Sequence, residues 1–164
     1  MRLPTRQSEV LQSTKKVSDD FLSSAAIQRY KDELQNLLKN QRPPAIKEVQ
    51  RTAEMGDFSE NAAYQMAKGR LRQINYRITT LEEKLKSAIV IKASTSGRVS
   101  IGSIVTLEAG GKETVYEILG SQESDPLHGK ISYLSPLGAL LLNKIAGEKF
   151  LLNGVEMKIK KIEI

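Results

Sequence analysis

Glu54-Met55-Gly56-Asp57-Phe58-Ser59-Glu60-Asn61 places three acids within seven residues, between two long stretches of helical periodicity. Gly56-Asp57 breaks a helix, so the flanking stretches are two helices joined by a short turn. A turn this short makes them antiparallel, with their apolar stripes facing each other. The stretch therefore reads as the tip of a helical hairpin, with carboxylates held out on the end of a rod.

The arm after the tip has the cleanest pattern in the chain. Tyr64, Ala67, Leu71, Ile74, Ile78, Leu81, Leu85 and Ala88 alternate steps of three and four, a heptad a/d seam. Asp57 or Ser59 suits its N-cap. From Ser59 to Ile89 the helix would extend about 45 Å at about 1.5 Å per residue. The remaining C-terminal residues are too few to wrap such a pair, so most of it projects into solvent or into a partner.

The arm before the tip starts with Ser23 or Ser24 as N-cap. Ile27, Tyr30, Leu34 and Leu37 share one face. Arg42-Pro43-Pro44 then forces a kink or restart, because each proline lacks an N–H and crowds the preceding turn. The stripe resumes at Ile46, Val49 and Ala53. Residues 1–22 are polar and weakly periodic, a flexible N-terminal arm with a short helical pattern around Glu9 to Lys15.

Composition shifts after Ile89. Ser94 to Gly97 reads as a linker, and Arg98 to Leu107 as strands broken at Gly102. Gly110-Gly111 and Asn153-Gly154 are hairpin turns. Lys130 to Leu134 and Met157 to Ile164 are further strands. Ser135-Pro136 opens a short helix, Ser as N-cap and Pro in first position. The fold class is therefore α+β: a coiled-coil hairpin over residues 23–91, then a small sheet-and-helix domain over residues 92–164.

The 164 residues contain no Cys, which excludes a disulfide framework or a thiolate metal site. The longest apolar run, Leu137 to Leu142, is far shorter than a bilayer span. The polar N-terminus (Arg2, Arg6, Ser8, Glu9) lacks a signal peptide's apolar core, which points to a soluble cytoplasmic protein. The net charge is +6, and residues 25–90 hold most of it, with 12 basic and 8 acidic side chains. Lys68, Arg70, Arg72 and Arg77 occur with no acid between Asn61 and Leu81. A basic face of this kind suits phosphates, and a merely solvated helix face accounts for it equally.

At the tip, Asp57 and Glu60 are three apart, close enough at a helix start to share a cation. Mg²⁺ takes one or two carboxylates, waters and substrate phosphate oxygens. Two carboxylates on a rod do not make a metal site alone, but they complete one that another molecule half-provides. Asp-x-x-Glu is also a capping arrangement, which is the commoner meaning of that spacing, and both roles can hold at once. His128, the only histidine, reads as loop decoration. No Gly-rich phosphate loop and no Ser/His/Asp set occurs, so no self-sufficient active site is evident.

Gly56-Asp57-x-Ser59-Glu60-Asn61-Ala62-x-Tyr64, set between two long helices, resembles the tip signature of the bacterial Gre transcript-cleavage factors. Glu33-Leu34 and Arg42-Pro43 precede it at that family's spacing. Gly120, Glu123-x-Asp125, Ile131-Ser132 and Ser135-Pro136-Leu137-Gly138 resemble its C-terminal domain, so the resemblance covers roughly residues 23–164. Tyr64-Gln65, Lys68, Arg70-Leu71-Arg72, Ile74 and Arg77-Ile78 look closer to the GreB branch than to GreA. Ala26, Leu134, Leu140 and Asn143 depart from the usual pattern, Asn143 standing where the family has Gly.

The resemblance implies a coiled coil joined to an FKBP-like domain in an accessory factor, not an enzyme. The C-terminal domain would dock at the rim of the RNA polymerase secondary channel, with Ser135 and Pro136 at the docking surface, and the coiled coil would enter the channel. Asp57 and Glu60 would help hold the second Mg²⁺ of the polymerase active centre, which then hydrolyses its own nascent RNA in backtracked complexes. Gly56, Ser59, Asn61 and Tyr64 would support the tip. The basic face at Lys68, Arg70, Arg72 and Arg77 would contact the RNA 3′ end through backbone charge. The resemblance implies a monomer with no membrane partner and no Mg²⁺ bound in isolation. Three rival readings are a Gre-like inhibitor that blocks the channel without promoting cleavage, a prolyl isomerase, and a plain coiled-coil interaction protein. The intact acid pair argues against the first. The scarcity of aromatics (Tyr116, Tyr133, Phe150) argues against the second.

Overall fold

Helix α1 (Ser24–Asn36) begins at its expected cap, with the Ser23 hydroxyl accepting the Ala26 N–H at 3.1 Å. In this computed structural model, which describes residues 19–54, 61–92, 94 and 96–163, α1 continues through a five-residue π-helical segment, Leu37–Gln41, into α2 (Arg42–Ala53). The prolines explain the π segment. Pro43 and Pro44 offer no N–H to the carbonyls of Lys39 and Asn40. The turn widens, the Arg42 N–H reaches back five residues to the Leu37 carbonyl, and the helix carries on. The wider turn also rotates the seam. Helix α2 buries Ala45 and Thr52, while Ile46, expected on the stripe, lies at the exposed margin.

Helix α3 (Ala62–Ser87) runs back along both. All eight expected seam positions are buried or half-buried, including Ala88 just past its end. Ile74, Ile78 and Leu81 pack with Leu37 and Ala45, and Tyr30, Leu34 and Leu71 cover them. The cap of α3 differs from expectation. It is Asn61, not Asp57 or Ser59.

The root of the hairpin is closed by two short parallel strands, β1 (Phe21–Leu22) and β2 (Ile89–Val90), with Phe21 opposite Ile89. The end of the expected arm over residues 1–22 is therefore part of the fold. A two-residue strand is too short for any alternation to announce it. The helical pattern at Glu9 to Lys15 lies outside the described residues.

The C-terminal part is a five-stranded mixed sheet in the order β5-β4-β3-β7-β6. Its strands are β3 (Ile104–Ala109), β4 (Lys112–Leu119), β5 (Lys130–Ser132), β6 (Lys149–Leu152) and β7 (Val155–Glu163). Gly110-Gly111 and Asn153-Gly154 turn the two hairpins with positive φ at both central residues, as type I′ turns need. Strand β5 pairs parallel to β4 after two 3₁₀ turns, Ser121–Glu123 and Pro126–His128. A strand expected from Arg98 begins only at Ile104. The preceding residues form a polar turn in which the Ser103 hydroxyl accepts the Ser100 N–H at 3.0 Å.

The register of β3 on β7 shifts between Thr106 and Leu107, whose partners are Lys161 and Ile159. Lys160 is the extra residue of a bulge. The bulge explains why Ile159 and Ile162, three apart, both turn toward the core. Helix α4 (Pro136–Leu141) covers one face, and Leu141 joins Val105, Leu107, Ile118, Phe150 and Ile159 in a single core. Asn143 follows with φ 67°, a left-handed position that Asn tolerates nearly as well as Gly, so this departure leaves the fold intact.

Leu81 is fully buried at the centre of the hairpin core. Leu81→Ala is expected to lower unfolding free energy by about 2–5 kcal/mol, by lost transfer energy and the cavity left behind. Thermal and urea unfolding followed by helical circular dichroism measure it; a loss under about 1 kcal/mol would mean the seam is loosely packed there.

Candidate functional site

Asn61 ties the two arms together beside the tip. Its Oδ1 accepts the Tyr64 N–H at 3.0 Å, capping α3, and its Nδ2 donates to the Thr52 carbonyl at 2.9 Å, near the end of α2. Thr52 is fully buried and donates its own hydroxyl back to the Glu48 carbonyl at 2.8 Å. One amide thus satisfies a donor at the start of one helix and an acceptor at the end of the other. Gly56, Asp57, Ser59 and Glu60 lie outside the described residues. Even so, the N-cap of α3 is already taken by Asn61, so the capping reading of Asp57-x-x-Glu60 loses the helix it was meant to cap.

Lys68, Arg70, Arg72 and Arg77 of α3 do not share one face. At about 100° per residue, Arg70 and Arg77 fall on one flank of the seam, and Lys68 and Arg72 on the other. The first flank meets acids of the opposite arm. Arg77 donates Nε and Nη2 to the two Glu33 oxygens at 2.7 and 2.8 Å, a bidentate clamp across the hairpin. These hydrogen bonds hold the Glu33 carboxyl below its usual range and push the Arg77 guanidinium up. Arg70 borders a cleft with Pro44, Ala45 and Glu48, and its charge helps lower the Glu48 carboxyl, which Arg51 lowers more. On the second flank, Lys68 sits over the Tyr64 ring at 5.8 Å from its centroid. Lys68 and Arg72 are exposed and have no ion-pair partner among the described residues. Helical phase gives the two flanks from sequence. The acids that occupy one of them depend on how the arms pair, and sequence did not reveal those.

Ser135 and Pro136 form the corner between β5 and α4. The Ser135 hydroxyl accepts the Gly138 N–H at 3.0 Å and donates to the Ser132 carbonyl at 2.7 Å, so the corner uses it fully. A Cβ on Gly138 would lie 2.1 Å from the Ser132 carbonyl oxygen, so only glycine fits there. Pro136 is exposed, flanked by Leu134 and Leu140 at 50% and 40% exposure. The corner therefore presents an apolar surface, with Ser135 as its internal brace.

Residues 21–90 match the family described as transcription elongation factor, N-terminal, and residues 94–164 match the family described as transcription elongation factor, GreA/GreB, C-term. The chain is 38% identical to the transcription elongation factor GreA of Mycoplasmopsis pulmonis over 130 residues, covering 78% of this chain and 83% of that one. It is 42% identical to GreA of Treponema pallidum (strain Nichols) over 123 residues, covering 73% and 76%. Among solved structures, GreA factor homolog 1 of Thermus thermophilus matches at 25% identity over 87% of this chain and 97% of that chain, with a TM-score of 0.40. Both relatives are GreA proteins and lend nothing to the likeness with the GreB branch.

Asn61→Ala is expected to destabilise the hairpin by about 1–2 kcal/mol, through loss of the cap. Asn61→Asp keeps the cap acceptor and loses only the donor to Thr52, so it should cost about half as much. Equal losses in chemical denaturation would show that the cap contributes little. A double-mutant cycle on Glu33→Gln and Arg77→Met should give a coupling of about 0.5–1 kcal/mol at pH 7, because the pair is more than a third exposed and screened by solvent. A carboxylate held low in the folded state contributes fully above its unfolded value, about pH 4.3, and loses that contribution as pH falls through the lowered value. The coupling should fade over that window, and one that persisted at lower pH would overturn the assignment.

Proposed function

The chain belongs to the GreA/GreB family of transcription elongation factors, and from that premise we propose that it enters the secondary channel of RNA polymerase and stimulates the polymerase's own cleavage of nascent RNA in backtracked complexes. The observation that carries this reading is Asn61. It caps α3 and links the arms, so Asp57 and Glu60 are not needed to start that helix. Two acids kept at a hairpin end without that structural duty are suited to a task in another molecule.

That task is cation binding. Carboxylate pairs and water suit Mg²⁺, and two carboxylates alone are too few to hold it, so Asp57 and Glu60 would share the ion with the polymerase active centre. Asp57 and Glu60 would be the residues that help hold it, and the ion would supply charge stabilisation for phosphodiester hydrolysis. The chain's own share is placement. The α3 seam keeps the rod straight, Asn61 sets its end, and Gly56, Ser59 and Tyr64 support the turn. Lys68 and Arg72, on the flank away from the Glu33–Arg77 clamp, and the exposed Arg70 are the residues suited to meet RNA phosphates; Arg77 is engaged by Glu33 of the opposite arm. Pro136 and its leucine neighbours form the polymerase-docking surface. The chain acts as a monomeric, cytoplasmic accessory factor with no catalytic centre of its own. No helix among the described residues is long and apolar enough to cross a membrane.

The test is RNA cleavage in a stalled, backtracked polymerase complex with Mg²⁺. The wild-type chain should release 3′ RNA fragments, and Asp57→Asn/Glu60→Gln should bind as tightly and release none. If both proteins slow elongation without cleavage, the chain blocks the channel and the acid pair serves some other end.

A further inference from the structure

The hairpin and the C-terminal domain are joined through two acids that each cap the other's element. Asp19, just before β1, is buried, and its Oδ2 accepts the N–H of Ser121, the first residue of the turn after β4. Glu123, at the end of that same turn, reaches back to the start of α1. Its two oxygens accept the Ser23 N–H and the Ser23 hydroxyl, each at 2.6 Å, and its side chain is 5% exposed. Ser23 in turn caps Ala26. The two contacts cross, like a capping box split between two domains.

Neighbouring groups close the joint. Gln122 donates to the Asp19 carbonyl at 3.1 Å. A Cβ on Gly120 would lie 2.1 Å from the Phe21 carbonyl oxygen, so the two backbones meet with no side chain between them. The Phe21 ring stands edge-on to Tyr133 at 5.6 Å. Burial pushes the Tyr133 phenol up, and the Asp19 charge adds to that shift.

We infer that this crossed pair, Asp19 with Ser121 and Glu123 with Ser23, is what aims the hairpin, and that Asp19 and Glu123 are positioning residues for the cleavage reaction proposed above. The inference rests on that reading for its functional half only. The physical reason is leverage. Helix α3 has 26 residues, so it is about 39 Å long, and a swing of about 10° at its root would move its far end by about 7 Å. Misplacement of a reacting group by about 1 Å can already cost on the order of a hundredfold in rate. Strands β1 and β2 pair with each other, and β1 meets the C-terminal domain only at Phe21, against Gly120 and Tyr133; the crossed acids supply the directional hydrogen bonds of the joint, so the aim depends on them.

The test uses the full chain and exploits its lack of cysteine. Spin labels on Gln73→Cys in α3 and Leu151→Cys in β6 report the inter-domain distance by pulsed electron resonance. The otherwise wild-type chain should give one narrow distribution, and Asp19→Asn/Glu123→Gln a broad or shifted one. Unchanged helical and sheet circular dichroism in the variant would show that both domains remain folded. If the double variant unfolds either domain, Ser23→Ala, which removes one hydroxyl donor, should still broaden the distribution. A narrow distribution in every folded variant overturns the inference. In the backtracked-complex assay, the variant should lose about tenfold in maximal cleavage rate, with its half-saturating concentration within about twofold of wild type. A full rate alongside a broadened distribution would overturn the functional half. A wild-type chain that cleaves nothing would overturn the cleavage reading instead, and the distance measurement would then judge the joint by itself.

Discussion

A 26-residue helix with one apolar edge has to keep that edge covered along its whole length. Alone it would present Leu71, Ile74, Ile78 and Leu81 to water, at a cost of about 1.5–3 kcal/mol for each large side chain. The stretch that covers it arrives first in the chain, and it carries two prolines partway along. Every other feature of the hairpin answers that conflict. The Leu37–Gln41 segment widens so that the partner helix can pass the prolines without breaking. The same widening rotates Ala45 and Thr52 inward to meet α3. The clamp between Glu33 and Arg77 lies before the prolines, and the Asn61 link lies past them. The pair is thus fastened on either side of its weakest turn.

This division explains which parts of the molecule were legible in the sequence. Periodicity over α3 is a sum over many residues, and it marked the seam along the whole helix. Gly-Gly and Asn-Gly are local signals with a single physical solution, and both turns are where they were expected. The misreadings came from one-residue events. The prolines signal a shift of register, but the size of the shift is set by a π turn that changes phase by one residue, so Ala45 is buried where Ile46 was expected. A bulge at Lys160 adds one residue, so Ile159 and Ile162, three apart, break strict alternation and yet both meet the core. The cap of α3 was assigned to Asp57 or Ser59 because three acids and a serine crowd that stretch. Asn61 is as good a cap by chemistry, and only the nearby Thr52 carbonyl favours it.

The candidate site shows the same limit more sharply. The basic residues of α3 lie close together in sequence and read as one charge feature. Helix geometry divides them, and Glu33 of the opposite arm then pairs with Arg77. Charge content alone did not reveal that Arg77 also helps hold the fold. The reverse applies to Ser135. The resemblance placed it at a docking surface, and in the structure its hydroxyl both donates and accepts within the β5–α4 corner, bracing the exposed Pro136, Leu134 and Leu140. A motif residue can therefore serve function by shaping what its neighbours present.

Distance in sequence is what hid the joint between the domains. Asp19 and Ser121 are 102 residues apart, and Glu123 and Ser23 are 100 apart. Neither pair has a local pattern, and each acid alone looks like an ordinary polar residue at the edge of a loop. Their meaning comes from being crossed. A single capping contact can act as a pivot, since one hydrogen-bonded pair leaves rotation about its own axis. Two such contacts on different elements remove that rotation. Burial strengthens both, because a carboxylate withdrawn from water loses far more when its donors leave than a solvated one does. Two acids withdrawn from water at the root of a long hairpin, each holding donors of the other's element, therefore resist rotation there more than either would alone.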